Sequence, residues 1–315
     1  MTLPVVNVLL ATHNGEKFLR EQWASLETQQ DVELVIHVAD DGSSDGTVAL
    51  IQQLAIGKSG AIRAVRWLEA PPRGSAARSF LVLLQDAVRS TPDGQWFAYA
   101  DQDDIWLPGK LAAAVTALAA HQGSQRPALY GARSMTVDAD NRERGLSPLF
   151  PQPPSFRNAL VQNIMGGNTM VMNRGAASLV AASAHVDVAW HDWLTYQLVS
   201  AVDGFIYYDA RAFLRYRQHG RNVMGSNLRL AARWNRLMFM FKGQFRDWNS
   251  RNVAALMEHS DAFTPANRLR LEAFRLAREA PTPWARLAGL HRSGAFRQKP
   301  AEQMMLWIAC TLRRL

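Results

Sequence analysis

Apolar and polar positions alternate in blocks along the first hundred residues. Val5 to Ala11 is an almost continuous apolar run, as expected of a strand buried on both faces of a parallel sheet. It ends in Thr12-His13-Asn14-Gly15, after which Phe18, Leu19, Trp23 and Leu26 recur at helical spacing, predicting a helix from about Glu16 to Gln29. A second strand, Glu33 to Ala39, ends in Asp40-Asp41-Gly42-Ser43-Ser44-Asp45-Gly46-Thr47 and a helix to about Leu54. A third, Ala64 to Leu68, opens onto Pro71 to Ser79 and a helix over about Phe80 to Val88. The fourth, Trp96 to Ala100, runs into Asp101-Gln102-Asp103-Asp104-Ile105-Trp106. This order predicts an α/β fold, Rossmann-like, with a mostly parallel sheet flanked by helices and ligands at the carboxyl ends of the strands.

The pattern continues with an Ala-rich helix over residues 110–121, read as packing, and a strand from Leu129 to Val137. Asp138 to Phe156 is polar and rich in proline, which predicts a flexible loop. Gly166 and Gly167 precede an apolar strand, Trp190-His191-Asp192-Trp193 opens a helix running through Val199, and Gly204 to Asp209 reads as a strand. From Leu228 the pattern is helical, so residues 1–227 are expected to form the catalytic domain and 228–315 a helical extension.

Composition adds limits. The chain has 315 residues, 48% of them hydrophobic, enough for a full α/β core and an appendage. The single cysteine, Cys310, excludes an intrachain disulfide and a thiolate zinc site and fits a reducing compartment. The start, Met1-Thr2-Leu3-Pro4, lacks a basic leader, and no apolar stretch reaches the roughly 18 residues of a membrane span, so a cytoplasmic location is expected. The net charge of +8 is uneven. Residues 1–227 carry 19 Lys/Arg against 21 Asp/Glu, and residues 228–315 carry 16 against 6. Aromatics among those cations, such as Trp234, Phe241, Phe245 and Trp248, suit an interfacial helix on anionic lipid, at the inner face of the cell membrane; packing against the catalytic domain or a partner suits them equally. Met304 to Leu315 repeats the theme. No nucleic-acid recognition motif accompanies the basic tail.

The chemistry centres on Asp101, Asp103 and Asp104. Carboxylates this close repel one another unless a cation neutralises them. Oxygen ligands without thiolate suit a hard divalent ion, Mg2+ or Mn2+, which fills its remaining positions with phosphate oxygens and water. Asp40 and Asp41 read equally as turn residues or as acceptors for a base or ribose. Arg73 and Arg78, beside a small-residue loop, could reach phosphate oxygens or simply be surface residues. Gly166 and Gly167 fit a tight bend or close approach to a donor sugar. Asp192 reads as a helix N-cap or as a general base, with His191 beside it. No glycine pattern matches a dinucleotide or P-loop fingerprint.

Three segments carry a resemblance. Ala11-Thr12-His13-Asn14-Gly15, Ala39 to Thr47 and Asp101-Gln102-Asp103-Asp104-Ile105-Trp106 resemble, in order, the signatures of family 2 glycosyltransferases of the GT-A fold, and the last is similar to bacterial rhamnosyltransferase-like members. The likeness covers about residues 5–225. It implies transfer of a sugar, rhamnose by the acidic motif, from a dTDP-, UDP- or GDP-linked donor to a saccharide or lipid-linked glycan acceptor in surface polysaccharide assembly, with inversion. It further implies that Asp40 and Asp41 bind the base, Asp101 the ribose and Asp103 the metal. Thr12, Asn14, Arg78, Gln102 and Gly167 would line the nucleotide-sugar pocket, and Asp192 would be the base. His219 would complete the metal shell, with Asp104, His191 and Arg217 behind the ligating groups. A sugar nucleotidyltransferase would share the sheet and carboxylates but carries a glycine-rich basic loop missing here; a non-catalytic scaffold would keep the fold alone.

Overall fold

The computed structural model describes residues 2–219 and 243–315. Its sheet is organised around β1 (Val5–Thr12), whose apolar run is explained by neighbours on both sides and cover on both faces. β1 pairs in parallel with β2 (Glu33–Asp40) and with β4 (Trp96–Ala100), and β2 pairs in parallel with β3 (Ile62–Trp67). Alternate residues of one strand serve different cores. Leu9, Phe97 and Tyr99 join one buried cluster, whereas Val6, Val8, Leu10, Trp96 and Ala98 join another. Side chains of the Val and Leu kind contribute roughly 1.5–3 kcal/mol each when fully buried, so both faces of β1 stabilise the fold.

Beyond β4 the sheet becomes mixed. β8 (Val171–Asn173) lies antiparallel between β4 and β6 (Ala128–Val137), β9 (Phe205–Arg217) runs parallel to β6, and β5 (Ile105–Trp106) pairs antiparallel with β9. β9 is longer than the strand expected from Gly204 to Asp209, because β6 continues to offer partners up to Val137 opposite Arg217, past irregularities around Arg133. The proline-rich segment is likewise not the free loop its composition suggests. β7 (Glu143–Leu146) pairs with β6, Ser147 N donates to Ser134 O at 2.8 Å, and Tyr208 Oη donates to Pro148 O at 3.2 Å.

The helices α1 (Glu16–Glu27), α2 (Thr47–Ile56), α3 (Ala76–Ser90), α4 (Lys110–Leu118), α5 (Phe156–Ala159), α6 (Arg174–Ala181) and α7 (His191–Ala201) follow the strands. The tail adds α8 (Gln244–Glu258), α9 (Pro265–Glu279), α10 (Pro283–Ser293) and α11 (Pro300–Thr311). Thr264 and Thr282 cap α9 and α10 by accepting from Asn267 N and Ala285 N, each with proline next in the chain, where its missing N–H costs nothing. The tail helices share a core with the preceding domain. Phe245, Leu256, Phe274, Leu290 and Leu306 belong to the same buried cluster as Tyr99, Trp193 and Tyr196. Phe245 stacks on Trp193 with centroids 6.2 Å apart, and Trp248 meets Trp190 at 5.8 Å. These two aromatics therefore face protein; Trp234 and Phe241, expected on the same helix, lie outside the described residues. Among the described residues, no helix is long and apolar enough to cross a membrane.

Candidate active site

Three loops at the carboxyl ends of β1, β2 and β4 are clasped together by side chains. Thr12 Oγ1 donates to Asp40 Oδ1 at 2.8 Å, and the same carboxylate accepts from Ser43 N and Ser43 Oγ at 2.8 and 2.6 Å. Asn14, at φ 50°, accepts Ser44 N on Oδ1 at 2.8 Å, and its own N–H reaches Ser43 Oγ. Asparagine tolerates that left-handed conformation better than most residues. Gln102 donates to His13 O and accepts from His13 N, both at 2.9 Å. Thr12, Asn14, Asp40 and Gln102 thus help to fasten the loops to one another and, through Ser43, to close the turn after β2. Asp41 Oδ1 accepts from the backbone of Arg73 and Gly74, so it anchors the loop after β3 to the loop after β2. Arg78 stands exposed in the first turn of α3, while Arg73 Nη1 is shielded from solvent without a hydrogen-bond partner.

The acidic loop is the electrostatic centre. Burial, then the charges of Asp103 and Asp192, push Asp101 up from 3.8 to about 7. Asp104 is fully buried and raised well above the usual range, first by desolvation and then by Asp101 and Asp103. Its Oδ2 accepts from Asn168 Nδ2 at 2.5 Å and its Oδ1 has no partner. Lys110, in the helix read as packing, is buried with Nζ 3.3 Å from the centre of the Trp106 ring. Desolvation lowers it to about 7 against the pull of Asp104. Lys110 and Asn168 were not singled out from sequence, although a lone lysine opening an Ala-rich helix four residues after Trp106 was a signal. Asp103 Oδ2 lies 2.7 Å from His219 Nε2, and the His219 ring stacks on Phe18 at 4.6 Å. Arg217 Nε donates to Asp103 O at 3.1 Å, and its guanidinium also meets Glu21 and Ala139 O. Arg217 therefore holds the backbone of the acidic loop from behind.

Asp192 approaches this cluster from the other side. It lies in the first turn of α7 rather than at the N-cap, which is Trp190. Asp192 Oδ2 accepts from Gly167 N at 3.0 Å, and Oδ1 from Trp193 N at 2.7 Å. Desolvation outweighs these bonds and lifts its carboxyl to about 6. His191 is packed between Phe80 (4.2 Å, stacked) and Tyr99 (4.6 Å, edge-on). Burial lowers it to about 3, so it is neutral, and Nε2 has no partner.

The reason for Gly167 is visible in this packing. A Cβ there would come within 2.7 Å of His191 Nε2 and 3.2 Å of Asp192 Cβ. The glycine admits the start of α7. Gly167→Ala is therefore expected to destabilise by about 1–3 kcal/mol, since the caged imidazole cannot yield, and to displace Asp192. A thermal melt together with a transfer assay checks this; an unchanged melting temperature would show that the ring can move.

Among the described residues, no three His, Cys, Asp or Glu side chains gather closely enough to hold a metal ion by themselves. The donor set fits a hard cation nonetheless. Asp103 and His219 are already in contact, and Mg2+ or Mn2+ characteristically draws most of its ligands from phosphate and water.

Comparison with known proteins agrees with this arrangement. The family model described as "Glycosyl transferase family 2" matches residues 7–174, which include β1, β2, β4 and the acidic loop. A dTDP-rhamnosyl transferase, RfbG of Shigella flexneri, is 25% identical over 259 residues, covering 80% of this chain and 86% of the relative. Among solved structures, S. aureus TarS in complex with UDP-GlcNAc aligns with a TM-score of 0.52 at 16% identity, covering 92% of this chain and 89% of that one. The mannosyltransferase PcManGT from Pyrobaculum calidifontis, in complex with GDP-Man and Mn2+, aligns at 0.51 and 18% identity, over 100% of this chain and 85% of that one. These likenesses are of fold, and the fold is GT-A. With more than half its length matched by the family model, this chain is a glycosyltransferase of family 2.

Proposed function

We propose that the chain is a metal-dependent, inverting enzyme that moves one sugar from a nucleotide-sugar donor to a saccharide hydroxyl in surface polysaccharide assembly. The observation that carries this reading is the convergence of Asp101, Asp103 and Asp192, which arrive from the tip of β4 and the start of α7 so that, beside burial, the charges of Asp103 and Asp192 both raise the carboxyl of Asp101. Rhamnose is the sugar supported by the Shigella relative, and dTDP its carrier.

In this reading the acceptor hydroxyl attacks the anomeric carbon, the bond from that carbon to the diphosphate breaks, and the hydroxyl proton passes to Asp192. A carboxyl at about 6 is mostly ionised at neutral pH yet basic enough to take that proton. Asp101 meets the ribose, and Asp41, pinned to the Arg73 backbone, faces the base. Arg73 and Arg78 meet phosphate. Asp103 and His219 hold the divalent ion, which when bound stabilises the charge growing on the departing diphosphate. Arg217 and Asp104 keep the acidic loop in place, and His191 fixes the first turn of α7.

The test is a screen of dTDP-, UDP- and GDP-sugars for acceptor-stimulated nucleotide release with Mg2+ or Mn2+. One donor is expected to turn over and to lose turnover with chelator. Metal-dependent nucleotide binding without release on any acceptor pool would leave a scaffold, and pyrophosphate formation from sugar phosphate and nucleoside triphosphate would leave a nucleotidyltransferase.

A further inference from the structure

Helix α11 is apolar on both sides. Its inner face, Leu306, Ala309 and Cys310, is buried in the shared core. Its outer face carries Met304, Trp307 and Ile308, with Leu312 just beyond the last turn; Trp307 and Ile308 lie three and four residues after Met304, and Leu312 four after Ile308. They are 54%, 52%, 37% and 54% exposed. Residues so spaced form one stripe. The helix's single acidic residue, Glu302, is turned toward Arg297 and Gln162 and leaves the stripe uncharged.

Two further features border the same end of the helix. Arg286 Nη2, in α10, donates to Thr311 O at 2.7 Å, which sets the first turn of α10, with Trp284 81% exposed, beside the last turn of α11. Arg313 and Arg314 follow directly and are exposed, and among the described residues neither has an acidic partner. Three other tail arginines are paired with carboxylates, Arg251 with Asp187 and Asp247, Arg275 with Glu272 and Glu279, and Arg297 with Glu302, and Arg286 is turned inward onto backbone carbonyls. An uncompensated cationic pair thus coincides with an uncovered apolar stripe.

We propose that the outer face of α11, with Trp284, Arg313 and Arg314, docks on an anionic phospholipid surface. Trp307 and its apolar neighbours enter the headgroup boundary, where indoles are favoured, and the two guanidinium groups meet lipid phosphates. A second copy of this chain is a poorer occupant. A two-fold contact places the same patch on both sides, so the arginine pair would face its own like without a carboxylate in the stripe to receive it. The inference does not depend on the catalytic reading, since binding is read without turnover.

The experiment is flotation of the full chain with phosphatidylcholine vesicles, with and without a minority of phosphatidylglycerol. The wild type is expected to float with the anionic vesicles and to be released by salt. Arg313→Glu/Arg314→Glu is expected to weaken that binding by roughly tenfold or more. Trp307→Gln/Ile308→Gln is expected to weaken it on vesicles of any charge, with the melting temperature of both variants unchanged. Wild-type protein that stays in solution with anionic vesicles overturns the proposal, as does undiminished binding by either folded variant. So does a dimer in light scattering that Trp307→Gln dissociates, which would assign the face to a second copy.

Discussion

Asp192→Asn is expected to lower kcat for sugar transfer by about 10²–10⁴-fold, the usual contribution of a general base, while donor affinity stays near that of the wild type. In free energy this is about 3–5 kcal/mol of transition-state stabilisation. The substitution keeps the shape of the side chain, and an amide oxygen can still accept from Gly167 N or Trp193 N, two of the bonds that hold the carboxylate now. What disappears is the site that takes the proton. The pH dependence separates this from a structural role. Desolvation raises the Asp192 carboxyl to about 6, and only its ionised form accepts a proton. Wild-type turnover should therefore fall as pH drops through about 6, and the variant should lack that limb. An acidic residue in the first turn of a helix also stabilises it, by about 0.3–1 kcal/mol. If that were the whole role of Asp192, the variant would melt lower and turn over normally.

The sequence made some of this geometry legible and hid the rest, for a physical reason. β1, β2 and β4 are buried on both faces, so their apolar runs stand out, and the polar residues that end them mark the site edge. The acidic loop stood out because three carboxylates in four positions, entered from a buried strand, repel one another unless a cation neutralises them. Contacts across long separations were hidden. That Gln102 clasps His13, 89 positions away, could not be read from its motif. Gly167 read as a tight bend or as close approach to a donor sugar, and the sequence did not show that it also makes room for His191 and Asp192, more than twenty positions on. Lys110 disappeared into an alanine-rich helix because burial beside Trp106 and Asp104 follows from the curl of the chain rather than from periodicity. In the tail, composition disclosed apolar and basic character but not which helix turns it outward. Phe245 and Trp248 face protein, whereas Trp307 does not.

Asp103→Ala is expected to abolish transfer and, with it, the dependence of nucleotide binding on divalent metal, while leaving a protein that melts no lower than the wild type in chelator at pH 8. The first half follows from position. Asp103 is the carboxylate of the acidic loop that meets His219, at 2.7 Å, and its main chain is braced by Arg217. The second half follows from linkage. The Asp101 carboxyl stands near 3.8 when unfolded and at about 7 in the fold, with Asp103 its largest source of like charge. A carboxyl raised on folding binds its proton more tightly in the native state. Its cost is therefore absent below about pH 4, grows as pH rises through the window from 3.8 to about 7, and is complete above it. Removing Asp103 lightens that cost, so between pH 5 and pH 8 without metal the melting temperature of the variant should decline less steeply than that of the wild type. A residue retained for folding would give the opposite result, a lower melting temperature at every pH. Metal should reverse the ranking: a divalent ion with nucleoside diphosphate would raise the melting temperature of the wild type and leave that of Asp103→Ala unmoved. Equal shifts in the two proteins would remove Asp103 from the metal site, whatever the transfer assay showed.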